Sequence, residues 1–309
     1  MKKMINRTHI SGLLHDHSLQ KRVTGKDSKN PNTEYITGDI NIATDNAHEN
    51  VVPVHFSYVT AKTAKGQENR NFKILNDIFE GKIRTIVDSG FDGAAKISVD
   101  SAIGLNEFYS DRNGTDELVS ARRNEGGFIT LVNALEPNEK TRATFETDMI
   151  ITGVTVLDAD EERELPERAN VKGAIFNFRN DVLPVSFTAL NPQAINYFEG
   201  LEASSSSPIF TKVKGEQVSQ TIRRNIKEDS AFGEASVRTV ISSRKDYVIT
   251  WAAQDVYDWD DESTILASEL VKALSDRELH LAELKQRSEE SKMRSVKSAP
   301  ATKEGVFNF

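Results

Sequence analysis

The feature that most limits what this chain can fold into is an internal repeat. Three short segments occur in the same order in each half. The first half has "HISG" (9–12), "ITGDINIA" (36–43) and "NVVPVHF" (50–56). The second has "IITG" (150–153), "VKGAIFNF" (171–178) and "DVLPVSF" (181–187). The alignment sets Gly12 against Gly153, Gly38 against Gly173 and Pro53 against Pro184. β-branched and aromatic residues alternate along these segments, which predicts strands. The two prolines predict an edge, a bulge or a strand start. A helical pattern follows in both copies, over 68–81 and 191–203. Phe72, Leu75 and Phe79 share a helix face, as do Ile195, Phe198 and Leu201. Two long strands close each copy, over 95–110 and 117–133 and over 208–224 and 236–253. Each half reads as three strands, a helix and two strands. Two unrelated β-rich domains built from common strand words are the rival reading.

Five strands with a helix between the third and fourth is the order of an OB-fold barrel. The predicted fold class is mainly β, with two tandem OB-fold-like five-stranded barrels, a C-terminal helix and a flexible tail. The expected divisions are 1–145 and 146–258 for the barrels, 259–295 for the helical extension and 296–309 for a disordered tail. Ser263 is the expected N-cap of that helix, and Leu266, Leu270, Leu274, Leu281 and Leu284 its incomplete apolar stripe. The net charge of −8 argues against a broad coat on duplex DNA but allows a local basic groove. The absence of cysteine excludes disulfides and thiol chemistry and suits a reducing compartment. No apolar run is long enough to cross a bilayer, and "MKKMINRTHI" has no apolar signal core. The expectation is a cytoplasmic protein without membrane contact.

The segments "INRTHISGLLHDHSLQKRV", "EYITGDINIATD" and "VVPVHFSYV" resemble the opening of OB-fold single-stranded-DNA-binding proteins. Over residues 5 to 253 the element order also resembles that of tailed-phage proteins of this type with tandem OB domains. The resemblance implies binding and protection of single-stranded DNA in phage or bacterial replication or recombination, without catalysis or cofactor, in the host cytoplasm if the chain is phage-encoded. In bacterial members a strongly acidic tip ending in an apolar pair recruits replication and recombination proteins. Here the tip is "KEGVFNF", and Glu304 is its one acid.

Sequence-tolerant binding needs cations along the phosphates and exposed rings for the bases. The loop over 20–30 supplies Lys21, Arg22, Lys26 and Lys29, and the segment after the third strand supplies Lys62, Lys65, Arg70 and Lys73. Arg122 and Arg123 lie in the late hairpin of the first copy, and Arg244 and Lys245 in that of the second. Lys212 and Lys214 alternate on one strand and are followed by Arg223 and Arg224. With Gly38 matched to Gly173, Phe176 and Phe178 point to the binding face. A one-residue slip puts them in the core. Phe56, Phe187, Tyr247 and Trp251 read as core. Tyr58, Phe108 and Tyr109 stay open, while Tyr35 joins the binding candidates.

The stretch "HDH" (15–17) invites a metal reading. On a strand, however, His15 and His17 share a face that Asp16 leaves, and the second copy has no histidine there. The acidic stretch 255–262 lacks the spacing of a calcium loop, and reads as a linker or a mobile internal anion that competes with DNA. No phosphate-binding or nucleophile motif occurs. Two alternatives to DNA binding stand at this point: a phage structural or assembly protein built on β-barrels, and a metal-dependent nuclease.

Overall fold

The computed structural model describes residues 4–112, 115–160, 165–228, 232, 236–259 and 264–298. The first half contributes β1 (Asn6–His17), β2 (Gln20–Val23), β3 (Glu34–Ala43), β4 (Val51–Thr60), α1 (Arg70–Phe79), α2 (Ile86–Gly93), β5 (Lys96–Arg112) and β6 (Thr115–Leu131). The second contributes β7 (Ala143–Leu157), β8 (Arg168–Phe176), β9 (Val182–Ala189), α3 (Pro192–Gly200), β10 (Ile209–Glu228) and β11 (Ser236–Ala252). A long helix, α4 (Ala267–Ser298), follows. It starts and ends a few residues later than the leucine pattern suggests. Ser263 and the tail from 299 onward lie outside the described residues.

Strand pairing makes each half a ring. β1 pairs with β3, β3 with β4, β4 with β6 in parallel, β6 with β5, and β5 again with β1. The second half repeats this through β7, β8, β9, β11 and β10. β1 also pairs with β7, so both rings belong to one 11-stranded sheet. Inside the first ring Ile40, Ile42, Val54, Phe56, Leu75 and Ile97 are buried together. Ile151, Val171, Val185, Phe187, Phe198 and Val213 fill the second. Both repeated helices are capped by asparagine, Asn69 and Asn191, whose side chains accept from the backbone N–H two residues on.

The repeat holds in element order and at the prolines, but its glycine matches do not: Gly12 sits against the Ala43 backbone, while Gly153 has nothing within 4 Å of where a Cβ would stand. Pro53 faces Asn41 and Pro184 faces Ala174. Matching the prolines therefore matches Gly38 to Val171, two residues from Gly173. An even shift keeps every side chain on its face. Gly12 and Gly173 share a different duty: a Cβ on either would stand 2.0 Å from a carbonyl oxygen, of Ala43 or Ile150. Only glycine lets these strands approach so closely.

Each barrel's long hairpin reaches the other barrel. Ile103 of β5 is buried in the second core, and Leu105 packs against it. In return, the Asn50 amide donates to the Gln217 carbonyl at 3.1 Å, and its oxygen accepts from Ser219 N–H at 2.6 Å. Asn124 and Gln217, both buried, bond at 2.8 Å where the barrels meet.

A third cluster lies outside the second barrel. Met4, Ile150, Phe176, Val182, Phe210 and Ile265 are buried there, with Tyr257, Trp259, Leu270 and Ala273 packed against them. This overturns the binding role expected for Phe176. Its ring leaves the barrel core, as the strand alternation requires, but the C-terminal segment covers it. The cluster also ties down part of the acidic stretch read as a linker or a mobile anion: Tyr257 N–H donates to the Phe210 carbonyl at 2.7 Å, and its hydroxyl to Asp148 at 3.2 Å. Residues 260–262 lie outside the described ones. Arg277 of α4 then clamps Glu107 of β5 at 2.6 Å.

Candidate nucleic-acid interface

The first barrel carries an exposed ring pair that a defect in its ladder creates. Between the pairs Ile36–Val59 and Gly38–Phe56, one residue of β3, Thr37, faces two of β4, Ser57 and Tyr58. Such a bulge re-aims side chains. Phe56 and Val59 pack inward, while Ser57 and Tyr58 are both exposed. Tyr58 is 46% exposed, and its ring centroid lies 4.7 Å from that of half-buried Tyr35. Tyr35 faces Arg22 across the β2–β3 ladder, so the guanidinium and the ring share a surface.

Cations flank this pair in the sequence. Residues 20–35 hold Lys21, Arg22, Lys26 and Lys29 against Asp27 and Glu34. Residues 58–73 hold Lys62, Lys65, Arg70 and Lys73 against Glu68. The whole chain is at −8, so this is a local reversal of sign. Arg22, Lys26, Lys29, Lys62, Lys65 and Arg70 are exposed, and the Arg22 guanidinium donates to the neutral Gln20 side chain. Lys21 is engaged by Glu80 at 3.2 Å and lies over Phe79. Lys73 is engaged by Asp77 at 2.7 Å. Lys21 and Arg22 sit on a short strand, β2, rather than in the loop expected for them.

Several expected contacts are used within the fold. Arg122 reaches from β6 into the second barrel. Its guanidinium donates to the Ser186 carbonyl and lies 5.0 Å from the Tyr247 ring centroid. Burial lowers its pKa from the ordinary arginine value. It is an inter-barrel strut, not a groove cation. Burial also pushes the Tyr247 hydroxyl up to about 12. Arg123 is held by Glu125 at 2.7 Å. Lys212 and Lys214 lie 3.9 and 3.5 Å from Glu146, which Arg7 also bonds at 2.6 Å. Lys245 is exposed and Arg244 half-buried. Arg223 and Arg224 follow on β10, and their side chains lie outside the described residues.

Phe178 is 78% exposed, with Arg179 over its ring at 5.1 Å. It stands on the β8–β9 turn beside a cavity of about 760 Å³ under α4. There the carboxylates of Glu107, Glu125, Asp181, Glu269 and Asp276 outnumber three Lys/Arg. Trp251 is also exposed, against the core role expected for it. An extra residue, Thr250, bulges β11 between the pairs Gly215–Ile249 and Lys214–Trp251, and the bulge turns Trp251 outward.

The histidines are absorbed by local bonds. His15 Nδ1 bonds the Asp16 carboxylate at 2.6 Å, and Asp16 accepts from Asn41. His17 Nδ1 accepts from Leu19 N–H. His55 bonds Asp39 at 2.8 Å, and that bond does most to lower the Asp39 pKa. Among the described residues no group of three or more His, Cys, Asp or Glu is arranged to hold a metal. No helix of the described residues is long and apolar enough to cross a membrane.

Among solved structures, the chain is similar to a deletion variant of the single-stranded DNA binding protein from Thermus aquaticus. The identity is 12% and the TM-score 0.45, and the match covers 85% of this chain and 100% of that one. No curated relative matches. The family model described as YorF matches residues 5–287, most of the chain, and on that match the chain belongs to the YorF family.

Proposed function

We propose that the chain binds single-stranded DNA on the outer face of β3 and β4. The observation that carries this reading is the Tyr35–Tyr58 pair, which a bulge in the ladder sets on the surface between two segments rich in exposed cations. Bases stack on the rings and phosphates run along Arg22, Lys26, Lys29, Lys62, Lys65 and Arg70. Stacking tolerates any base, because every base has a flat face. The role is coating and protection of the strand in phage or bacterial replication or recombination, in the cytoplasm, without catalysis. Each phosphate neutralised releases counterion, and the slope of log K against log salt is about −0.7 per contact on a single strand. Six cations give about −4.

Anisotropy titration of labelled single- and double-stranded oligonucleotides at two salt concentrations tests this. The expected result is preference for the single strand and steep weakening with salt. Absence of binding at low salt would overturn it and favour a structural role. Degradation of the oligonucleotide with magnesium or manganese would favour a nuclease.

A further inference from the structure

From the two copies of the barrel we infer that the duplication is functionally divided: the first barrel alone holds the strand, and each chain takes one single-stranded segment. This rests on the reading of the first barrel given above.

The ladders differ where it matters. In the second barrel the pairs Ala169–Ala189, Asn170–Thr188 and Val171–Phe187 run without a break. This ladder has no bulge, so nothing turns a ring of β8 or β9 outward; the ring that the Thr250 bulge sets out, Trp251, stands on β11, with Lys214 over it at 4.9 Å. The outward positions of β8 and β9 are Asn170, Lys172, Ala174, Phe176, Pro184, Ser186 and Thr188, and the one aromatic, Phe176, is buried under the C-terminal segment. Several are already satisfied. The Ser186 hydroxyl donates to Asn170 at 2.9 Å, and the Thr188 hydroxyl to Asp246 at 2.8 Å. Beside them, the Ser186 carbonyl is taken by Arg122 from the first barrel.

Charge points the same way. The connection between β1 and β3 is basic. Its counterpart between β7 and β8, residues 158–167, carries Asp158, Asp160, Glu161, Glu162, Glu164 and Glu167 against Arg163 alone. The segment after β4 holds four cations. Its counterpart, residues 190–207, holds Glu199 and Glu202 and no Lys or Arg. At these two connections the cations that would draw a phosphate chain to the first barrel have no counterpart in the second. The exposed Phe178 does not reverse this, because in the cavity beside it carboxylates outnumber cations.

The test is a stoichiometric titration of the full chain with a short oligothymidylate at low salt. Photocrosslinking of an iodouracil-substituted oligonucleotide, with peptide mapping, accompanies it. The expected result is one oligonucleotide per chain, with adducts within residues 18–73. Lys172→Glu should leave affinity within twofold, while Lys26→Glu with Lys29→Glu weakens it tenfold or more. Two oligonucleotides per chain, adducts within 158–189, or an equal loss from Lys172→Glu would overturn the division while leaving strand binding intact. No binding by the natural chain would instead remove the parent reading, and the division with it.

Discussion

Tyr58→Ala separates stacking from charge. The ring is about half exposed and packs chiefly on Tyr35, so its removal takes away a stacking surface and leaves the barrel core untouched. Losing one base–ring stack costs about 1–3 kcal/mol. At about 1.4 kcal/mol per decade, that is a rise in Kd of roughly 5- to 150-fold. The lost ring pair costs the fold about 0.5–1.5 kcal/mol, which urea denaturation followed by circular dichroism would measure. No cation is removed, so the salt slope should not change. Arg22→Ala should do the reverse, with the slope falling by about 0.7 and a smaller loss at high salt. Anisotropy titrations at four salt concentrations read both quantities. A Kd for Tyr58→Ala within twofold of the natural chain would refute the stacking role. A slope that falls with affinity would mean the substitution disturbs the cations and that the ring is not the contact.

Three further outcomes follow from packing and titration. Phe176→Ala should cost about 3–5 kcal/mol of unfolding free energy, because the ring is fully buried under α4, while Phe178→Ala should stay within about 0.5 kcal/mol; equal costs in urea melts would show that the C-terminal segment does not cover Phe176. Arg277→Ala leaves Glu107, whose side chain is 7% exposed, without its partner and should destabilise by about 3–5 kcal/mol; Arg277→Met combined with Glu107→Leu should recover most of that loss, and a double variant as unstable as the single one would refute the ion-pair account. Burial works against the charged form of His9, but hydrogen bonds to Asp100 and Glu136 outweigh it and raise the pKa from 6.5; the stabilisation is full below about 6.5 and is lost as pH rises through the folded value. Because the pair is partly exposed, the difference between the natural chain and His9→Gln should shrink by only about half a kcal/mol from pH 6 to pH 8, and a difference that grows over that range would reverse the assignment.

The parts of the molecule legible in the sequence are those that alternate. Inward residues such as Ile40, Val54, Phe56, Val185 and Phe187 lie where a period of two puts them. The features misread are breaks in that period. The bulge at Ser57–Tyr58 makes a ring pair that no regular strand would display, and the bulge at Thr250 turns Trp251 out. Helix α2 was also missed, although Thr85 and Asp88 form a capping box that the sequence spells at the required spacing. Phe176 failed for another reason. Its face was right, but which element covers that face depends on where a helix nearly a hundred residues later comes to rest. Arg122 is the same kind of case, since a cation pattern does not say that the neighbouring barrel receives the side chain.

The two copies show which positions the fold constrains and which it leaves to function. The determinants retained are a proline at one place on the third barrel strand and an asparagine cap on the helix. Losing the cap leaves helix N–H groups unpaired, so both barrels keep it. The loops meet no such demand, because their side chains face solvent and their charge costs the fold little. They have diverged to opposite sign, basic before β3 and acidic before β8. The barrels are joined through β1 and β7 and through Asn124 and Gln217, so the acidic loop is held on the same body as the basic one. A strand that follows the cations of the first barrel therefore finds no second basic loop of the same kind on the other barrel. On this arrangement a longer oligonucleotide should gain affinity by recruiting a second chain rather than by spanning both barrels of one.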